Sequence, residues 1–165
     1  MRCDGLLPER GSDWGVRTLY AGGMNDPGPE RLLYRRRHRL THDREFQVVY
    51  AQGIRRSGGP LTVFVRPNGL PEHRLGLSVG RRVGGAVVRN RVKRLLREAF
   101  RHRRAGFAVF GMEAGAFDLV IQVRPHRVLG RADYEHLLER LVDRACAELT
   151  RRELHRKEKG DSDGR

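Results

Sequence analysis

The stretch Arg81 to Arg104, RRVGGAVVRNRVKRLLREAFRHRR, constrains the fold of this chain more than any other. Its apolar residues Val88, Val92, Leu95, Leu96, Ala99 and Phe100 recur at three- and four-residue spacing, which makes one stripe on a helix that begins near Gly85. Arg89, Asn90, Lys93, Arg94, Arg97 and Arg101 fall on the opposite side. Such a helix buries one face in a layered core and turns the other to solvent. From Arg74 to Arg104 a single acid, Glu98, stands against eleven Lys and Arg. Internal ion pairs cannot neutralise that face, so it calls for a polyanion.

The charge balance of the whole chain agrees. Thirty-four Lys and Arg against 20 Asp and Glu give a formal charge of +14, which repels itself in the free protein and attracts nucleic acid or an anionic membrane. No apolar run approaches the roughly 20 residues that cross a bilayer. The first residues also lack the basic start and continuous apolar core of a signal peptide, so neither insertion nor secretion is expected. Cys3 and Cys146 show no metal-ligand spacing, which points to a reduced, cytoplasmic protein.

A chain of 165 residues is expected to hold one domain with tails. Residues 1–33 contain Asp-Pro-Gly-Pro and no helical or strand period, and are expected to be a disordered extension. The run Arg35 to Arg39 (RRRHR) reads either as a solvated arm or as a nucleic-acid contact, and composition leaves both open. Thr41 is placed to cap a helix over His42 to Ala51, closed by Gly53, with Phe46, Val49 and Tyr50 on one face. His38 and His42 have the spacing of a helical metal pair, but no third ligand follows, so no metal is expected there.

Ile54 to Ser57 reads as a short edge strand and Leu61 to Arg66 as a clear one. Alternation puts Leu61, Val63 and Val65 on one face and Thr62, Phe64 and Arg66 on the other. In the strand Arg74 to Val79, Leu75, Leu77 and Val79 point inward while Gly76, Ser78 and Gly80 face the other way. Small residues beside an outward aromatic describe an open sheet surface that an extended chain can approach closely. The alternative is that Phe64 packs under the helix of Phe46 and Tyr50, and both can hold at once. Gly84 and Gly85 match neither a P-loop nor a dinucleotide fingerprint, and read as a turn at a helix start that admits a phosphate.

Phe117 to Arg124 is a further strand. Asp133 is expected to cap a last helix with a seam of Tyr134, Leu138, Leu141, Ala145 and Leu149, and residues 153–165 a charged, disordered tail. The element order gives an α+β fold, a small two-layer sandwich of one sheet with helices largely on one side.

Catalytic chemistry is poorly supplied. Metal-assisted cleavage of phosphodiesters needs clustered carboxylates, yet between Glu45 and Glu98 the sole acid is Glu72. Asp118 is isolated in sequence and reads as solvated. No catalytic residue is assigned.

The stretch from Arg81 to Phe100 resembles the signature of the protein subunit of bacterial ribonuclease P. It has a basic pair (Arg81, Arg82), then Gly-x-Ala-Val-x-Arg-Asn-Arg, then Val-Lys-Arg-Leu-Leu-Arg-Glu-Ala-Phe. Arg-Glu-Phe-Gln-x-Val-Tyr at Arg44 to Tyr50 and Leu-Gly-Leu-Ser-Val before Gly80 also fit, and the resemblance covers roughly 34–152. It implies an α-β-β-β-α-β-α order with a left-handed β-α-β crossover, against the usual hand, in a fold shared with a ribosomal-protein domain. It further implies a protein cofactor of a catalytic RNA that removes the 5′ leader of precursor tRNA, with magnesium held mainly by the RNA. The partners implied are that RNA and precursor tRNA, with no membrane and no required protein oligomer.

Carried over residue by residue, the resemblance places Arg89, Asn90 and Arg91 on the catalytic RNA, together with Arg81, Arg82, Lys93, Arg94 and Arg97. Phe46, Tyr50 and Phe64 would line a cleft for the single-stranded leader, beside Thr62, Arg66 and Ser78. The basic pair is usually lysine in the family and is arginine here; the long N-terminal extension and the Ala105 to Gly115 loop receive no role by resemblance. A ribosomal or general RNA-binding protein would explain the charge and the fold equally well, but not the helix signature.

Overall fold

The computed structural model describes residues 33–107 and 116–162. The expectations for residues 1–32 and for the loop 108–115 lie outside them.

Alternating apolar residues build four strands, β1 (Ile54–Gly58), β2 (Leu61–Pro67), β3 (Arg74–Val79) and β4 (Phe117–Val123), in the spatial order β1-β2-β4-β3. A tight turn with Gly59 at φ 53° folds β1 back on β2. β4 then runs antiparallel to β2 and parallel to β3. The helix between the two parallel neighbours is the basic stretch, α2 (Ala86–Arg103); α1 (Asp43–Gln52) precedes the sheet and α3 (Arg131–Ser162) follows it.

One face of the sheet holds Leu61, Val63, Val65, Leu75, Leu119 and Ile121, all buried against Val92, Leu96 and Phe100 of α2 and Tyr134, Leu138 and Val142 of α3. Each such side chain contributes about 1.5–3 kcal/mol by leaving water. The expected stripes of α2 and α3 thus enter the core, except for Val88, which is half-buried beside Gly84. The other face is only partly covered, by α1: Leu40, Val49 and Val120 form a second cluster with Phe46, Tyr50 and Phe64 against it. The three helices therefore divide two to one between the faces. Phe46 lies so close to β3 that a Cβ on Gly76 would come within 2.7 Å of its ring, and only glycine admits it.

Four local readings change. α1 starts at Asp43, and its first turn is satisfied by Glu45 rather than Thr41: Glu45 Oε2 accepts the N–H groups of Thr41 (2.9 Å) and His42 (3.0 Å). A carboxylate reaching back two orphan donors is also favoured by the helix dipole. Asp118 is buried rather than solvated, because it pairs in register with Arg74, whose guanidinium donates to both carboxylate oxygens at 2.8 and 2.7 Å. Asp133 is the third residue of α3, its Oδ2 accepting the Gly130 N–H at 3.1 Å. The expected tail from Glu153 instead continues α3 to Ser162. Arginine, lysine and glutamate are good helix formers, and Glu148 holds both Arg151 and Arg152 one turn on.

Candidate nucleic-acid interface

The basic helix is entered through a 3-10 turn at Arg81–Val83, pinned by the buried Val83 and reversed at Gly84, whose φ of 145° a side chain would strain. Arg89 Nη1 donates to the Gly84 carbonyl at 2.7 Å, so the first arginine of the Arg-Asn-Arg motif clamps this turn to the helix. Asn90, Arg91, Arg94 and Arg97 are exposed and Lys93 is half-buried. The single acid of the helix, Glu98, is held below the usual carboxylate range by Arg101, at 2.7 Å. Arg91, Lys93, Arg94 and Arg97 consequently form no ion pair among the described residues, and the helix presents their charge outward.

On the partly covered face of the sheet, the strand register lines up Ser57, Thr62, Gln122 and Ser78 in one row beyond the reach of α1. A concavity of about 470 Å³ opens there, floored by Thr62, Ser78 and Gln122 and rimmed by Arg55, Arg81, Arg82 and Arg124. Thr62 is buried, and its hydroxyl bonds Ser57 at 3.0 Å and accepts from Arg124 at 3.2 Å, which orients that arginine at the rim. Next along β2, Phe64 meets Tyr50 edge to face at 4.8 Å between ring centres, so the packing of Phe64 under α1 holds.

The sequence-derived residues separate into groups. Thr62, Ser78, Arg81 and Arg82 come together in the concavity; Phe64, two residues along β2 from Thr62, packs instead against Tyr50. Phe46 lies at the β3 edge, in a second hollow shared with Lys93 and Arg97. Arg66 is at the other end of the sheet, its Nε donating to Gln52 at 2.8 Å. Arg55, Gln122 and Arg124 were missed, although alternation along Phe117 to Arg124 places Gln122 and Arg124 on the same face as Asp118.

The donor set does not suit a protein-held divalent ion. Among the described residues no three His, Cys, Asp or Glu side chains cluster, and Glu45 of α1 and the buried Asp118 are both bound by Arg74. His38 and His42 do not share a helical face either: His38 is buried in a 3-10 turn, its Nδ1 accepting the Arg35 N–H at 2.9 Å and its Nε2 lying 2.7 Å from a Glu72 carboxylate oxygen.

A basic helix as the crossover between parallel strands, beside a half-covered sheet, is the setting in which the family comparison gives its answer: the model of the ribonuclease P family matches residues 34–147. The chain belongs to the ribonuclease P protein family. The ribonuclease P protein component of Methylococcus capsulatus is 40% identical over 119 residues, covering 68% of this chain and 86% of that protein. That of Desulfovibrio desulfuricans is 39% identical over 114 residues, covering 68% and 83%. Among solved structures, the ribonuclease P protein of Thermotoga maritima superposes with a TM-score of 0.53 at 31% identity, over 64% of this chain and 96% of that one. The Staphylococcus aureus protein gives 0.56 at 26% identity, over 66% and 94%. As a member of this family the chain is the protein component of ribonuclease P, a ribonucleoprotein endoribonuclease, rather than a general RNA binder. The match ends before α3 does, so the last turns of that helix lie outside the family model.

Proposed function

We propose that the two basic surfaces divide the RNA between them: the outer face of α2 binds the RNA subunit of ribonuclease P, and the uncovered row of the sheet binds the 5′ leader of precursor tRNA. The observation that carries this reading is the concavity over Thr62, Gln122 and Ser78, with four arginines at its rim and the Tyr50–Phe64 pair beside it. Arginine forks bind phosphates in a backbone-tracking groove while aromatic ring faces stack bases without strong sequence preference. Arg81 and Arg82 belong both to this rim and to the entry turn of α2, and so join the two surfaces.

In this role the protein performs no bond chemistry. By the family resemblance magnesium is held mainly by the RNA, and the arginine surfaces contribute by binding and orienting the two RNAs. Precursor is preferred over product because only the precursor has a leader to occupy the groove. No helix among the described residues is long and apolar enough to cross a membrane, and the site of action proposed is the cytoplasm.

Reconstitution tests the reading. The protein, its RNA subunit and precursor tRNA are combined at low magnesium, where cleavage is expected only with RNA and protein together. Cleavage by protein alone, or no effect of protein on RNA-catalysed cleavage, would sink it.

A further inference from the structure

The run Arg35 to Arg39 is not a loose basic arm. His38 is its buried anchor, Leu40 N donates to Leu75 O at 3.0 Å, and Arg39 bridges to Leu75 as a short parallel extension of the sheet at β3. Tyr34 packs edge-on against Phe100 of α2 at 5.9 Å, and the Arg39 guanidinium lies over the Tyr34 ring, 5.0 Å from its centre. The segment is therefore a fixed wall facing α2. Between them lies a hollow of about 220 Å³, with Leu40, Phe46 and Leu77 at its floor and Arg39, Lys93 and Arg97 at its rim. None of these three cations forms an ion pair among the described residues, and the Tyr34 hydroxyl donates to the Leu75 carbonyl at 3.5 Å.

We infer that this hollow is a single-nucleotide pocket that takes one unpaired nucleotide of the RNA subunit. An apolar and aromatic floor accepts the base, three converging cations accept its phosphate, and unpaired bases are what proteins read in RNA. The pocket opens on α2 and not onto the Thr62–Gln122–Ser78 row, which places its occupant with the RNA bound by α2. The inference rests on that reading of α2 and adds to it Tyr34, Arg39 and the requirement for an unstacked base.

The test compares Arg39→Ala with Arg44→Ala, an exposed arginine on α1 outside the pocket, in binding of the RNA subunit by the full chain. Arg39→Ala is expected to weaken assembly about tenfold and Arg44→Ala by less than about threefold. Leu77→Phe, which fills the floor without altering charge, should match Arg39→Ala, and one unpaired base of the RNA that wild type protects from chemical modification should become reactive with both. Thermal unfolding of each variant identifies any that lose affinity by misfolding. Equal losses for Arg39→Ala and Arg44→Ala, or no base regaining reactivity, overturn the pocket. A loss confined to precursor binding by the assembled enzyme would assign the hollow to the leader and overturn the RNA-subunit assignment. If Lys93→Ala and Arg97→Ala also leave assembly unchanged, the reading of α2 itself has failed.

Discussion

Arg89 and Lys93 sit one turn apart on α2, and their contacts predict different behaviour. Lys93 makes no ion pair among the described residues, whereas Arg89 is already bonded to the Gly84 carbonyl. Replacing Lys93 with alanine should lower the salt slope of RNA-subunit binding by about one unit. Arg89→Ala should weaken binding at least as much by releasing the Arg81–Val83 turn, with a smaller change in slope. Titrations across a salt series distinguish the two, and a full unit lost for Arg89 would mean a direct phosphate contact. His73 makes a second residue-scale prediction. Its Nδ1 accepts the Phe117 N–H at 3.2 Å beside that ring, and burial, with the Arg104 charge, pushes its pKa from 6.5 down to about 4. The folded form thus resists protonation more than the unfolded chain. The resulting stability is complete above pH 6.5 and is lost as pH falls towards 4, by at most about 1.4 kcal/mol per pH unit before solvent screening reduces it. Burial and Arg104 lower His38 too, with the same sign. Thermal midpoints at pH 7 and pH 5 should fall less for His73→Phe than for wild type.

At the scale of elements, α1 decides how much of the sheet remains open. It lies where it does because Gly76 leaves room for Phe46, and Gly76→Ala should cost about 1–3 kcal/mol by overpacking. The same displacement would disturb the Tyr50–Phe64 pair, so the variant should lose precursor-over-mature discrimination as well as thermal stability. Phe64→Ala isolates the second effect: precursor tRNA binding by the assembled enzyme should weaken by about 1–3 kcal/mol per lost stack while mature tRNA binding hardly changes, and equal losses would remove the groove from the mechanism. The alternation in Leu61 to Arg66 and Arg74 to Val79 carries both sheet faces, and the three- and four-residue spacing in α2 and α3 carries the core, because both periods are local. Pairing across distance is not local. Arg74 with Asp118 spans 44 residues and Arg124 with Thr62 spans 62, so a buried ion pair looked like a solvated acid and the rim arginines Arg55 and Arg124 went unseen. The anchoring of Arg35 to Arg39 was hidden for the same reason, since Glu72 and Leu75, which hold it, come from the loop before β3 and from β3 itself.

For the molecule as a whole, the charge of +14 sets two opposite dependences on salt. In the free protein the described carboxylates are largely bound by neighbouring arginines, as in Arg74 with Glu45 and Asp118, while the α2 face and the rim of the concavity keep like charges side by side. Added salt screens that repulsion over about 8–10 Å and favours the folded state. In the complex the same charges displace counterions from RNA, and added salt weakens binding steeply. The free protein should therefore unfold at a higher temperature as ionic strength rises from about 0.01 to 0.15 M, with a gain of about 1 kcal/mol appearing as roughly 4 °C, while affinity for the RNA subunit falls over the same range. Bound RNA replaces the salt: at saturating RNA the thermal midpoint should exceed that of the free protein most at low ionic strength, since ligand that binds only the folded form stabilises it in proportion to its affinity. A free protein equally stable at both salt concentrations would show that its arginines are spaced widely enough not to repel, and would leave the RNA-facing charge without a cost to folding.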